Sequence, residues 1–218
     1  MIDNNNDLSD NAKKIIGGLL KLSPSITAFG NTNPTSYLRL VPHQEAPTNI
    51  CWGKQNRSVL IRVPLGWKTE KNMSARINPN SGTKIRNHQR QTIELRSPDG
   101  SANSHLLLGA ICVACTWGLT HKESLSIADK LFVDVNIFEK ENQNVQNKLE
   151  QLPSSCYSSA EKLLDQKEIY LEYKVFNHRL IKGIADELKS FDDKELNKKL
   201  RKDKKLAKQY IKKFIHVA

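Results

Sequence analysis

No apolar run in this chain is long enough to cross a bilayer. The longest, Leu106–Leu119, has 14 residues and is interrupted by Gly109, Thr116 and Gly118, whereas a spanning helix needs roughly 20. Residues Met1-Ile2-Asp3-Asn4-Asn5-Asn6-Asp7 supply neither the basic stretch nor the apolar stretch of a secretory signal. No membrane association and no secretion are therefore expected. Cysteine is scarce: Cys51, Cys112, Cys115 and Cys156. Cys112 and Cys115 form a lone C-x-x-C with no second pair at ligand spacing, so a zinc site is not expected. The pair lies within the apolar run, where positions i and i+3 share a helix face, and reads as structural thiols of a reducing compartment. The six histidines, His43, His88, His105, His121, His178 and His216, form none of the spacings that bind metal on a helix.

Acidic residues are also in deficit. The 218 residues carry 34 Lys+Arg against 23 Asp+Glu, a formal charge of +11, with 38% hydrophobic residues and a mean hydropathy of −0.55. That is polar for a globular protein, yet too apolar and too periodic for a disordered one. Ten of the basic residues fall between Lys194 and Lys213, with only Glu195 and Asp203 among them, so this short segment holds +8 of the total. Leu196, Leu200, Leu206, Ile211 and Phe214 thread through it as the apolar stripe of an amphipathic helix. Tyr210 is the one aromatic in its middle, which offers no stacking platform for bases. A solvated helix face is therefore expected rather than a nucleic-acid surface.

The patterning places strands early and helices late. Ser9 caps a helix to about Lys21, which Ser23-Pro24-Ser25 should end. Residues 29–57 are rich in Asn, Pro and Gly and read as a long irregular segment. Ser58–Val63 alternates as a strand, with Val59, Ile61 and Val63 on one side and Leu60 and Arg62 on the other. Residues 68–89 are polar, with a turn at Asn78-Pro79-Asn80-Ser81-Gly82. Gln91–Ser97 is a second strand, with Ile93 and Leu95 facing the core and Glu94 and Arg96 facing away. The turn Pro98-Asp99-Gly100 leads to a buried helix over about 102–119. Helices are then expected at about 122–131, 157–175, 178–190 and 192–215. The fold class is α+β, divided into a sheet-bearing part, 1–121, and a helical part with a basic amphipathic tail, 122–218.

Three segments carry a family resemblance. Pro34-Thr35-Ser36-Tyr37-Leu38-Arg39-Leu40-Val41-Pro42-His43-Gln44-Glu45-Ala46-Pro47 resembles an N-S-Y-x-R-L-x-P-x-x-E-A-P motif. Asn56-Arg57-Ser58-Val59-Leu60-Ile61-Arg62-Val63-Pro64 resembles N-R-S-x-x-I-R-I-P. Ile93-Glu94-Leu95-Arg96-Ser97-Pro98-Asp99-Gly100-Ser101-Ala102-Asn103 resembles I-E-x-R-x-P-D-x-x-A-N. In this order they resemble glutamine synthetase, the ATP-dependent glutamate–ammonia ligase, over residues from about Leu8 to Leu119. The resemblance implies the C-terminal part of a catalytic domain built on an α/β barrel-like sheet. It also implies ATP with Mg2+ or Mn2+ as cofactors, glutamate and ammonia as substrates, cytoplasmic location and a homo-oligomer of stacked rings.

It implies residue roles as well. Arg39 and Arg96 would hold the glutamate substrate and its intermediate. Glu45 would be the flap residue that closes the site and handles ammonium. Arg57 and Arg62 would contact the nucleotide phosphates and the phosphoryl group in transfer, and Glu94 would bind the divalent metal. These types suit such work: arginine grips carboxylate and phosphate bidentately, and hard cations take carboxylate oxygen. Thr92 stands where many members have arginine. The tyrosine that some bacterial members adenylylate falls near Phe138, so that regulation is not expected. The chain shows no N-G-S-G-M-H-x-H-like segment and no upstream pair of metal-binding glutamates. It is about half a family member and is expected to be inactive alone. The alternative is a non-catalytic binding or assembly module of the same fold.

Overall fold

The computed structural model describes residues 7–40, 47–65, 77 and 91–214, with no description of the side chains at 197 and 201. The polar segment expected at 68–89 falls outside the described residues, apart from residue 77. The first helix, α1, covers Asp10–Gly30 and begins where expected, with Ser9 Oγ accepting from Ala12 N at 3.3 Å. It does not stop at Pro24. A proline has no N–H for the carbonyl four residues back, but here the Ser23 hydroxyl donates to Leu20 O at 2.8 Å. The carbonyl that Pro24 strands is thereby satisfied, and the helix continues for six more residues.

The segment expected to be irregular is partly ordered. It contains a short helix α2, Ser36–Arg39, and a strand β1, Trp52–Lys54. Strand β2 is Ile61–Val63 and strand β3 is Glu94–Leu95, both shorter than their alternating patterns. The sheet order is β1-β2-β3, with β1 and β2 parallel and β2 and β3 antiparallel. A parallel pair ordinarily needs a long crossover. These strands are three residues each, so residues 55–60 suffice to carry the chain back, starting from Gln55 at φ 56°.

Helix α3, Ser104–Thr120, is capped by Asn103, whose Oδ1 accepts from His105 N and Leu106 N at 3.1 and 3.2 Å. Helix α4 is Ser124–Lys130. After a 3-10 turn, Lys140–Asn142, come α5, Gln143–Gln146, and α6, Cys156–Asp165. Helices α7, Lys167–Glu172, and α8, His178–Ser190, follow. The basic segment forms two helices, α9, Leu196–Lys202, and α10, Lys204–Phe214. It breaks because Asp203 Oδ1 accepts from Lys205 N and Leu206 N, capping a new helix. Its lysines are exposed wherever they are described.

Helix α1 is the axle of the molecule. It packs on α3, α4 and α6, and one core runs through residues of both the sheet-bearing and the helical parts. Where α1 crosses α3, Gly18 and Gly118 meet. A Cβ on Gly18 would lie 2.1 Å from Ala114 O, and one on Gly118 would lie 2.2 Å from Lys14 O. Phe29, Tyr170 and Phe176 cluster at the far end, with Tyr170 hydrogen-bonded to Ser25 at 2.7 Å.

Helix α3 is not buried all round, contrary to its uniform hydrophobicity. It buries Ala110, Val113, Ala114, Trp117 and Gly118 and leaves Leu108, Cys112 and Leu119 exposed. Only one face has α1 to pack against. No single helix among the described residues is long and apolar enough to cross a membrane. Helices α3 and α4 pass that test only as a pair, bent by 101°.

Candidate functional site: an arginine-lined cleft

The sheet brings three of the singled-out side chains together. In the β2–β3 register Arg62 lies opposite Glu94. Arg62 Nε donates to Glu94 Oε2 at 2.9 Å, and Arg62 Nη2 lies 2.6 Å from the same oxygen. Arg96, two residues beyond Glu94 on the same face, places Nε 3.4 Å from Glu94 Oε1. Both carboxylate oxygens thus face a guanidinium. Arg96 is also fixed from behind, because its Nη1 donates to the backbone carbonyls of Arg57 and Val59. Burial draws the Arg96 pKa below the usual arginine value. Glu94 opposes that shift, while Arg62, Arg57 and Arg39 add to it.

These groups line a cleft of about 760 Å3 that also takes in Lys54, Arg57 and Asp134. Four cationic side chains share it with two carboxylates, and of the four Lys54 is paired with Asp7 at 2.5 Å, which leaves the arginines as the cleft's main positive charge. Lys54 and Asp134 carried no sequence signal of their own. Lys54 ends β1, just before the Asn56-Arg57-Ser58 motif. Asp134 arrives through the bridge that pairs Trp52 with Phe132 and the bonds from Asn56 Nδ2 to the carbonyls of Val133 and Val135.

Arg39 does not line this cleft. Its Nη2 donates to Ser97 O and Pro98 O at 2.6 and 3.0 Å, and its Nη1 reaches Arg96 O at 3.5 Å. It braces the turn after β3 and borders a separate cleft of about 270 Å3 with Asp99, Ser101 and Phe214. The same turn is tied to the end of α1, where Asn31 Nδ2 donates to Ser97 O at 2.8 Å and Asp99 N donates to Gly30 O at 3.0 Å. Arg39 Nε is buried and has no partner. Glu45 lies outside the described residues.

The described residues do not complete a site for a divalent metal. No group of three His, Cys, Asp or Glu side chains that could hold a metal ion occurs among the described residues. Glu94, the expected ligand, spends both oxygens on arginines. The cleft carries more cations than carboxylates, a balance suited to an anionic group.

A small mixed sheet with an arginine-lined cleft on a helical scaffold defines an α+β domain. A family model described as "Glutamine synthetase, catalytic domain" matches residues 1–205. The chain is 34% identical over 178 residues to "Glutamine synthetase" of Pyrococcus abyssi, covering 77% of this chain and 35% of that one. It is 33% identical over 182 residues to "Glutamine synthetase" of Streptomyces coelicolor, covering 82% and 33%. Among solved structures it resembles one described as "GmaS/ADP complex-Conformation 1", with a TM-score of 0.55 and 23% identity over 90% of this chain and 38% of that one; this is a likeness of fold. The chain belongs to the glutamine synthetase family, to the C-terminal part of its catalytic domain. The matched part spans about a third of the length of these curated relatives.

Proposed function

We propose that this chain contributes the arginine-lined part of the active site of an ATP-dependent glutamate–ammonia ligase. The observation that supports this reading is the seating of Glu94 between Arg62 and Arg96 in a cleft also lined by Arg57 and Lys54. In the proposed reaction the glutamate γ-carboxylate takes the γ-phosphoryl group of ATP, and ammonia then displaces phosphate from the acyl phosphate. Transferring a phosphoryl group spreads negative charge over its oxygens, so cations held in place beforehand lower the barrier. Arg57 and Arg62 hold the nucleotide phosphates. Arg96, fixed by backbone carbonyls, holds the substrate and its intermediate, and Arg39 supports it by bracing the Ser97–Pro98 turn that follows it. Glu45 serves as the flap residue that closes the site and handles ammonium. Glu94 would exchange its arginine partners for Mg2+ or Mn2+ and supply one carboxylate ligand beside oxygen ligands from outside this chain.

In the whole protein the three strands belong to a larger barrel-like sheet. Residues 1–121 then carry the ligand motifs and 122–218 form a helical region, within a cytoplasmic homo-oligomer of stacked rings. The isolated chain is inactive as a ligase. A non-catalytic binding or assembly module is the second reading, favoured by the same ion pairing that occupies Glu94. Two measurements on the isolated chain test these statements. Titration with ATP should show binding that Arg62→Ala weakens, and an unaffected titration would remove the site assignment. Phosphate release with glutamate, ammonium and Mg2+ should stay at the blank, and turnover above it would overturn the inactivity.

A further inference from the structure

A second cavity lies away from the arginine cleft and has no part in the proposed reaction. It occupies about 470 Å3 between α1 near Pro24, Ile50 ahead of β1, α4 and the end of α6. That is the size of an ordinary small-molecule pocket. Its floor is apolar, built from Leu20, Ile50 and Ile127, and around it stand four lysines, Lys21, Lys130, Lys148 and Lys162, against two carboxylates, Glu150 and Asp165. Lys21, Lys130 and Lys148 are exposed and take part in no ion pair among the described residues, whereas Lys162 lies 3.9 Å from Asp165. One wall is Gln166. Its Nε2 donates to Lys21 O at 2.9 Å, which fixes the orientation of the amide. The opposite atom, Oε1, is buried with no hydrogen-bond partner, on a residue that lines the cavity. Buried acceptors are ordinarily satisfied, so an unmet one beside an open cavity marks a place for a donor.

We propose that this cavity binds a small amphiphilic anion: an apolar ring body on the Leu20–Ile50–Ile127 floor, its acid group among Lys21, Lys130 and Lys148, and an N–H or O–H donor aimed at Gln166 Oε1. Each feature answers one part of such a molecule. The floor takes the body, the unpaired amines take the charge, and the amide oxygen selects for a donor. The lysines are point charges on flexible stems, so the site tolerates variation in the acid group while the fixed amide sets the ring's orientation.

The test uses the full chain, calorimetric titration and tryptophan fluorescence, since Trp52 N donates to Leu131 O at the cavity's edge. The probes are indole-3-acetate, 1-naphthaleneacetate, which lacks the N–H, and inorganic phosphate. Indole-3-acetate should bind with a dissociation constant of about 1 mM or tighter, and more tightly than 1-naphthaleneacetate. Phosphate alone should not compete. Lys130→Glu with Lys148→Glu, both at exposed positions, should weaken indole-3-acetate by about tenfold or more. Gln166→Leu should abolish the preference for the N–H-bearing probe, while Arg62→Ala should change nothing here. Circular dichroism checks that each variant is folded. No binding by the unsubstituted chain at about 10 mM would overturn the proposal, as would equal affinities for the two ring probes or indifference to the charge reversals. Loss of binding in Arg62→Ala would place the probe in the arginine cleft and overturn it too. Because this site shares no residue with that cleft, either reading can fail without the other.

Discussion

Arg62 and Glu94 face one another across the β2–β3 pair, with two guanidinium nitrogens within 2.9 Å of one carboxylate oxygen. Both side chains are partly exposed, so the pair contributes little to folding, of the order of 1 kcal/mol or less. Its effect is on charge: it offsets one of the cations that give the cleft its anion affinity.

Replacing Glu94 by Gln in the isolated chain should therefore tighten binding of metal-free ATP several-fold, with a thermal midpoint close to that of the parent. The gain should shrink as salt is added, because it is electrostatic. In the full-length ligase the same carboxylate is proposed to bind metal, and Glu94→Ala should there weaken metal binding and lower turnover. Calorimetry with a chelator present checks the first claim, and an unchanged or weaker affinity would reject it.

The Ser23 hydroxyl and Pro24 should be energetically coupled. Ser23→Ala alone leaves the buried Leu20 carbonyl without a donor and should cost about 1–3 kcal/mol. Pro24→Ala restores an N–H to that carbonyl, so the double variant should recover most of the loss. Urea unfolding of the two single variants and the double variant measures the coupling, and strict additivity would show that the hydroxyl does not do this work.

The glycine crossing makes a sharper demand. Gly18→Ala places a methyl 2.1 Å from a backbone carbonyl, which has no rotamer with which to escape. Helices α1 and α3 must move apart, at about 1–3 kcal/mol or more, despite alanine's better helix propensity. Denaturant unfolding should show lower stability; a gain would mean that the helices separate freely.

Alkali should destabilise the fold. Burial pushes Cys51 from an ordinary 9.0 up to about 11 and raises Cys156, Tyr37 and Tyr170 as well. Each keeps its proton longer when folded than when unfolded. Between the two pKa values the unfolded chain has lost a proton that the folded chain retains, so stability falls as pH rises. This contribution is whole below the ordinary thiol value of 9.0 and declines above it, with the tyrosines joining above 10.0. Thermal midpoints measured at rising pH should fall over that window, less steeply in Cys51→Ala. A flat profile through it would contradict the burial of these groups.

The pairing of Glu94 with arginine shows what alternation along a strand makes legible. Two residues apart means one face, so Glu94 and Arg96 could be placed together from the sequence. The register that sets Arg62 opposite Glu94 pairs residues 32 positions apart, and no local pattern encodes it. The family motifs singled out Arg39 but not its position, because its partners are backbone carbonyls, which every residue carries. Pro24 was misread for a related reason: the serine that rescues the helix looked like a second breaker. Asp134 joins the cleft only through pairing around Trp52 and Phe132, distant in sequence. The helices after Asn103 were legible in position because their caps and apolar spacing are local. The exposure of one side of α3 was not, since hydrophobicity does not say which face finds a neighbour.

Asp193 is buried, and its two carboxylate oxygens accept from Cys156 N and Tyr157 N, each at 2.9 Å. The first turn of α6 is therefore closed by a residue nearly forty positions later, just ahead of the lysine-rich helices. That carboxylate marks a physical boundary in the chain. A protease that cuts at exposed lysines can trim α10 and then α9 without touching the cap, and the remaining body keeps its core. A cut on the other side of Asp193 removes the cap with the tail, and α6 loses the partner of two backbone donors at once. Digestion should accordingly pause at a product ending near Lys194, and any shorter product should unravel quickly rather than accumulate.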